Sequence, residues 1–350
     1  MAPNNYPKLH NATWPGLVGK GSPDSEPMIA LNEMIELTAK TEIDGQRFDG
    51  VDLFVGAPHM SPQFDDAEVK ALGEKIRGLN LSVGSLVAPV WSVTGGGSTI
   101  GSNDERKKFV DQVKVACRMG KTLRELGVRP SGIVRIDSSA PVTEWEKDPV
   151  GNTKKIAETF REAASVAADH GERLAAEGEI CWGGMHSWRH MVELLELVDR
   201  PKIVGFQADM SHTLLYVLGE NAPEHRIVPV DFHWEPAVFH DAMKKLTDAL
   251  RPWTIDFHVA QNDATVFGSG AHDKTGRHCV ITDPKGKLNP QRDTGYWLRS
   301  SDGNVTKSFR HICWDGCMFP NATLKNPQTW RDILSSMIEV RKNHGWYEAS

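Results

Sequence analysis

The sequence predicts a (β/α)₈ TIM barrel with extended loops at its C-terminal mouth. Three observations predict it: eight short β-branched or apolar runs, a longer amphipathic segment after each run, and polar residues gathered at the ends of the later runs. The 350 residues and 39% hydrophobic content are enough to bury a large core. No repeat and no linker rich in Pro, Gly or Ser divides the chain, so residues 1–350 are read as one barrel domain.

The strands are expected at 8–12, 50–55, 82–90, 132–136, 173–179, 202–208, 254–260 and 309–314. Each is a short run bounded by turn residues or by the start of a helical pattern. The helices between and after them are expected at 26–40, 65–78, 103–127, 152–170, 187–198, 236–249, weakly at 290–298, and at 327–343. Asp65, Asn103 and Ser187 stand where N-caps belong, because their short polar side chains accept from the orphan N–H groups of a first turn. A barrel of this type needs about 250 residues before insertions. The excess lies in "WSVTGGGSTIGS" after the third strand, in 214–233 after the sixth and in 262–289 after the seventh. All three follow strands and therefore rim the face where barrel chemistry occurs.

A formal net charge of −6 gives no general attraction to phosphate backbones or anionic membranes, which excludes nucleic acid as the expected partner. The five cysteines, Cys117, Cys181, Cys279, Cys313 and Cys317, are odd in number and scattered, as suits reduced thiols. The opening "MAPNNYPKLHNATW" has no basic segment followed by an apolar stretch, and no apolar run spans a bilayer, so a cytoplasmic protein is expected.

The polar strand ends carry the functional reading. The fifth strand holds Glu177 and Glu179, the sixth ends in "FQADMSH" with Asp209 and His212, the seventh is "TIDFHVAQND" with His258, and the eighth is "HICWDG" with Asp315. Side chains alternate along a strand, so Glu177 and Glu179 share a face, as do Asp256 and His258. If that face is the barrel interior, three carboxylates and an imidazole from four successive strands converge. Buried unpaired charges are too unfavourable to persist, and one divalent cation satisfies all four. This oxygen-rich set suits Mn²⁺ or Mg²⁺, with Zn²⁺, Co²⁺ and Fe²⁺ as alternatives.

On "HGERLAAEGE", "VGFQADMSHTLLYVLG", "IDFHVAQND" and "FRHICWDG" the chain resembles the xylose isomerase-like, or sugar phosphate isomerase/epimerase, superfamily. The resemblance implies one divalent metal ion held by Glu177, Asp209, His258 and Asp315, with Glu177 preferred over Glu179, and substrate contact by His212. It implies a sugar or keto-sugar isomerase or epimerase that abstracts a proton α to a carbonyl through a metal-bound enediolate. Glu177 or Glu179 would serve one face of the sugar and Asp315 the other. Two departures are visible: Asp315 stands where the family usually has Glu, and "HVAQNDAT" lacks an arginine some epimerases carry. A shorter Asp315 favours the alternative of a keto-glycoside lyase or dehydratase acting by β-elimination, with His59 or His212 as acid.

Other residues have weaker claims. Arg135 pairs with a carboxylate or binds substrate oxygen; Trp14, Trp91, Trp182 and Trp314 stack on a sugar or fill core. Gly95, Gly96 and Gly97 lack the Lys and Ser/Thr of a phosphate loop and read as a flexible rim. With no evident Lys/Arg cluster, the expected partner is an unphosphorylated small-molecule carbohydrate. A non-catalytic carbohydrate-binding barrel is the remaining alternative, a multi-zinc endonuclease lacks the histidines and basic face it would need, and a homo-oligomer is left open.

Overall fold

The computed structural model of the chain describes residues 4–266, 278–307 and 309–347. Its eight parallel strands close into a barrel in sequence order: β1 (Lys8–Ala12), β2 (Gly50–Phe54), β3 (Ser82–Val87), β4 (Ile133–Ile136), β5 (Arg173–Glu177), β6 (Val204–Asp209), β7 (Thr254–Val259) and β8 (His311–Trp314), with β8 pairing back onto β1. The main helices are α1 (Leu31–Lys40), α2 (Asp66–Gly78), α3 (Asn103–Glu125), α4 (Pro149–Asp169), α5 (Trp188–Val198), α6 (Met210–Leu218), α7 (Pro236–Leu250) and α8 (Pro327–His344). None of the described helices is long and apolar enough to cross a membrane.

The differences from the sequence reading have local causes. β3 stops before Pro89, whose nitrogen has no hydrogen for the ladder. β5 stops at Glu177, so Glu179 lies beyond the strand rather than two places along it. α1 starts at Leu31, five residues late, after an extended N-cap at Ala30. α3 is capped by Ser102, not Asn103, in a reciprocal pair with Glu105, as Asp65 and Glu68 cap α2. The segment 290–298 is two short turns, Pro290–Asp293 and Gly295–Leu298. α6 is the largest difference: "MSHTLLYVL" is buried on nearly every side, so it shows no amphipathic period, and the sequence pattern places part of it in the insertion 214–233. The insertion 262–289 includes 267–277, which lie outside the described residues.

Apolar side chains fill the layer between strands and helices, where Leu9, Val51, Leu174, Phe206, Phe257 and Ile312 are fully buried. The barrel interior is different. His10 and His311, their rings 4.3 Å apart, hold Asp52 between them: His10 Nδ1 lies 2.8 Å from one carboxylate oxygen and His311 Nε2 3.2 Å from the other. Two glycines make room for this cluster, since a Cβ on Gly50 would come within 2.5 Å of His10 Nε2 and one on Gly84 within 2.1 Å of Asp52 Oδ1. Outside the barrel wall, Arg129 and Glu172 form a fully buried ion pair, with Arg129 Nη1 2.7 Å from each carboxylate oxygen and Nε donating to the Gly84 carbonyl at 2.9 Å.

Candidate metal centre at the barrel mouth

Parallel pairing of β6 with β7 sets Asp209 beside His258, and β5 and β8 bring in carboxylates from either side. His258 Nδ1 is 3.9 Å from Glu177 Oε1, 3.7 Å from Asp209 Oδ2 and 3.8 Å from Asp315 Oδ2. The structure thus brings together all four side chains that the sequence reading nominated as ligands, and all are buried. These separations exceed hydrogen-bonding reach. Among the described residues Asp209 Oδ2 and both ring nitrogens of His258 are buried without a hydrogen-bond partner. Such groups are unfavourable to leave unpaired, and a divalent cation between them fits both the spacing and the donor chemistry.

Each side chain is held from behind. Asp209 is the N-cap of α6: its Oδ1 accepts from Ser211 N at 2.6 Å and His212 N at 3.3 Å, leaving Oδ2 for the centre. Glu177 turns Oε1 toward His258 while Oε2 pairs with Arg135 Nη2, which also donates to Glu179 Oε1 at 2.6 Å. Asp315 accepts from Trp14 Nε1 at 3.1 and 3.2 Å and from Cys317 N at 2.8 Å. Burial disfavours charge on Asp209, but His212, His258 and His278 around it outweigh burial and hold its pKa low. At His258 burial is likewise outweighed, by the neighbouring carboxylates Asp209, Asp256 and Asp315, and its pKa is raised. His212, with Nε2 3.8 Å from Glu177 Oε1, is pushed down by burial and is neutral near pH 7.

Two residues escaped the sequence reading. His278 places Nε2 4.0 Å from Asp209 Oδ1 and its ring 5.3 Å from that of His212, so Asp209, His212 and His278 form a second donor group on the same flank. It comes from the insertion after β7, where a search confined to strand ends does not look. Asp137 follows β4 by one residue, fully buried; burial raises its pKa to about 7 against the opposing effect of Arg135. It satisfies the strand-end rule as well as Arg135 does in "RIDSS".

Above the four side chains opens a cavity of about 1050 Å³. Glu177, Glu179, Arg135, His212 and Asp315 line its polar side, while Trp14, Leu17, Phe54, Val87 and Trp91 line an apolar one, with Trp182 also on the wall. Trp314 is not there; it is fully buried in the core. His59 is also placed away from the cavity lining, with Nε2–H donating to the Ile29 carbonyl at 2.7 Å, a contact that ties down the chain before α1. The glycine run is a packed turn rather than a flexible rim: Gly96 N and Gly97 N donate to Trp91 and Val90 carbonyls at 2.9 Å, and a Cβ on Gly96 would lie 2.0 Å from Val90 O.

Residues 45–281 match the family model described as xylose isomerase-like TIM barrel. No curated protein matches the chain. Among solved structures, the IOLI protein with a binding zinc atom is 12% identical with a TM-score of 0.64, covering 96% of this chain and 99% of that one. A xylose isomerase-like TIM barrel protein from Mycobacterium smegmatis in complex with magnesium is 13% identical, TM-score 0.60, over 98% and 99% of the two chains. D-psicose 3-epimerase in the presence of D-fructose is 15% identical, TM-score 0.55, over 96% of each. At these identities the likeness is one of fold.

Proposed function

Because this chain belongs to the xylose isomerase-like TIM barrel family, we propose that it is a divalent-metal-dependent enzyme that removes the proton α to the carbonyl of a keto-sugar, as a sugar isomerase or epimerase. The observation that carries this is the ring of three carboxylate oxygens 3.7–3.9 Å from His258 Nδ1 at the floor of a cavity large enough for a sugar. Glu177, Asp209, His258 and Asp315 hold the cation. Their hard, mostly oxygen donor set favours Mn²⁺ or Mg²⁺. When bound, the cation supplies Lewis acidity to a carbonyl oxygen and stabilises charge that develops as the α-proton leaves.

The chain's own side chains do the rest. Glu177 and Asp315 flank His258 and supply carboxylates on either side of a bound sugar, with Glu179 beside Glu177. A proton taken on one side and returned on the other gives an epimer. Arg135 fixes Glu177 and Glu179 by pairing with both, and neutral His212 presents its ring to substrate oxygens from the same wall. Trp91 and Trp182 limit the space in which the sugar turns.

Two observations favour a second reading, elimination from a keto-glycoside. Both Asp315 oxygens are already engaged by Trp14 Nε1, and one also by Cys317 N–H, so this short carboxylate is held back from a carbon above it. The apolar side of the cavity gives room for a substituent that a free sugar lacks. One-faced proton abstraction followed by loss of the β-substituent meets both conditions. The test is incubation of the metal-loaded protein with a panel of keto-sugars and keto-glycosides in D₂O. Deuterium at the α-carbon supports the proposal, and an enone absorbance selects elimination. No exchange across the panel overturns it in favour of a barrel that only binds carbohydrate.

A further inference from the structure

Away from the mouth, the loop after β5, the first turn of α5 and the turn Pro223–His225 bring three imidazoles together. Ring centroids of His186 and His190 are 4.3 Å apart, and those of His190 and His225 are 4.6 Å apart. One nitrogen from each of His190 and His225 and a carboxylate oxygen of Glu224 lie within 4.8 Å of one another. Trp145 sits edge-on to His186 and His190 at 4.8 and 4.9 Å, which packing alone explains. Packing does not explain three further features.

The first is Ser187, whose Oγ lies 3.0 Å from His190 Nδ1 and 2.7 Å from His225 Nδ1. That hydroxyl also caps α5, accepting from His190 N at 3.2 Å, so its remaining lone pair takes one imidazole Nδ1–H; that ring keeps its own lone pair on Nε2, which is how metal-binding histidines are oriented by an outer partner. The second is anchoring: Trp188 Nε1–H donates to the His225 carbonyl at 2.8 Å, holding the turn that carries both His225 and Glu224 against α5. The third is His186, only 2% exposed, whose Nδ1 has no hydrogen-bond partner among the described residues. Burial lowers the pKa of His186 to about 3 and of His190 to about 4, so both rings are neutral in the physiological range.

We propose that His190, His225 and Glu224 form a second metal site, separate from the barrel mouth, for a divalent transition-metal ion that prefers imidazole: Zn²⁺, Ni²⁺ or Cu²⁺. Two nitrogen donors with one carboxylate suit these ions over Mg²⁺ or Ca²⁺. Glu224 is exposed and free to swing onto an ion held by the two rings. Such an ion would join the first turn of α5 to the turn Pro223–His225 that follows α6.

The test is calorimetric titration of Zn²⁺ into the dialysed full-length chain, into His225→Gln and Glu224→Ala, and into Asp209→Asn, which alters only the mouth. The expected result is that His225→Gln and Glu224→Ala each weaken one site by at least about 10-fold, while Asp209→Asn retains it. Glu224 is on the surface, so its variant reports binding even if His225→Gln folds poorly. Unchanged Zn²⁺ number and affinity in Glu224→Ala and His225→Gln, or loss of all binding in Asp209→Asn, overturns the proposal. The outcome does not depend on whether the mouth holds an ion.

Discussion

Arg135 Nη2 lies 2.6 Å from Glu179 Oε1, and the same nitrogen closes on Glu177. One buried guanidinium therefore bridges two buried carboxylates that the chain places two residues apart. Removing it leaves like charges facing each other at the cavity floor without their counter-charge, which raises carboxylate pKa values and destabilises the fold. Arg135→Gln is expected to cost about 3–5 kcal/mol in the metal-free protein, measured by urea unfolding. Because a bound cation offsets part of the lost charge, Mn²⁺ should raise the Tm of the variant more than that of the wild type. Equal increments would show that the mouth does not hold the ion.

Asp209→Asn separates the two jobs of that residue. Asn caps a helix about as well as Asp, so the acceptor for Ser211 N at the start of α6 is kept and stability should change by less than about 1 kcal/mol. The charge facing His258 is lost. Metal analysis after dialysis should find mouth occupancy reduced at least about 10-fold, and α-proton exchange should fall with it.

The Arg129–Glu172 pair predicts a stability effect with no catalytic component. Both groups are fully buried, and the pair also receives Arg124. Glu172→Ala leaves the fully buried Arg129 guanidinium without its counter-charge and should destabilise by about 3–5 kcal/mol. Folded variant protein should keep its metal content and its exchange rate. A loss below about 1 kcal/mol would mean that water reaches the pair.

Asp137 gives a pH signature. Its folded pKa, about 7, lies above the ordinary value of 3.8. Between those values the native state binds more protons than the unfolded chain, so this residue's contribution is fully present below the lower value and is lost as pH rises to about 7. Over that window it should amount to a few kcal/mol at most, on the order set by about 1.4 kcal/mol per pKa unit. Asp137→Asn should flatten the decline of Tm with pH; an unaltered profile would assign the decline to other groups.

The barrel and its mouth were legible because both rest on periodicity and position. Alternating runs put Glu177, Asp209, His258 and Asp315 at successive strand ends, and a closed parallel sheet then has one place to bring them. The residues that escaped are those whose signal is not periodic. α6 is hidden by being apolar all round. His278 arrives on an insertion whose path no local pattern dictates. Gly96 and Gly97 read as slack although they are packed against Val90 and Glu105, because a glycine in sequence does not say whether it serves freedom or closeness. His59, a strand-end histidine like His258, satisfies the Ile29 carbonyl instead, and only tertiary contact distinguishes the two.

The hollow kept open by Gly50 and Gly84 has a consequence for the imidazole above it. Asp52, seated there between two imidazoles, stands 3.9 Å beneath Nε2 of His258. The charge that faces His258 from below is thus seated from the foot of the cylinder, by two positions that lend it no atoms of their own. A random-mutagenesis screen for inactive but folded protein should return replacements at those glycines beside replacements of the ligands, two storeys apart in the same shaft.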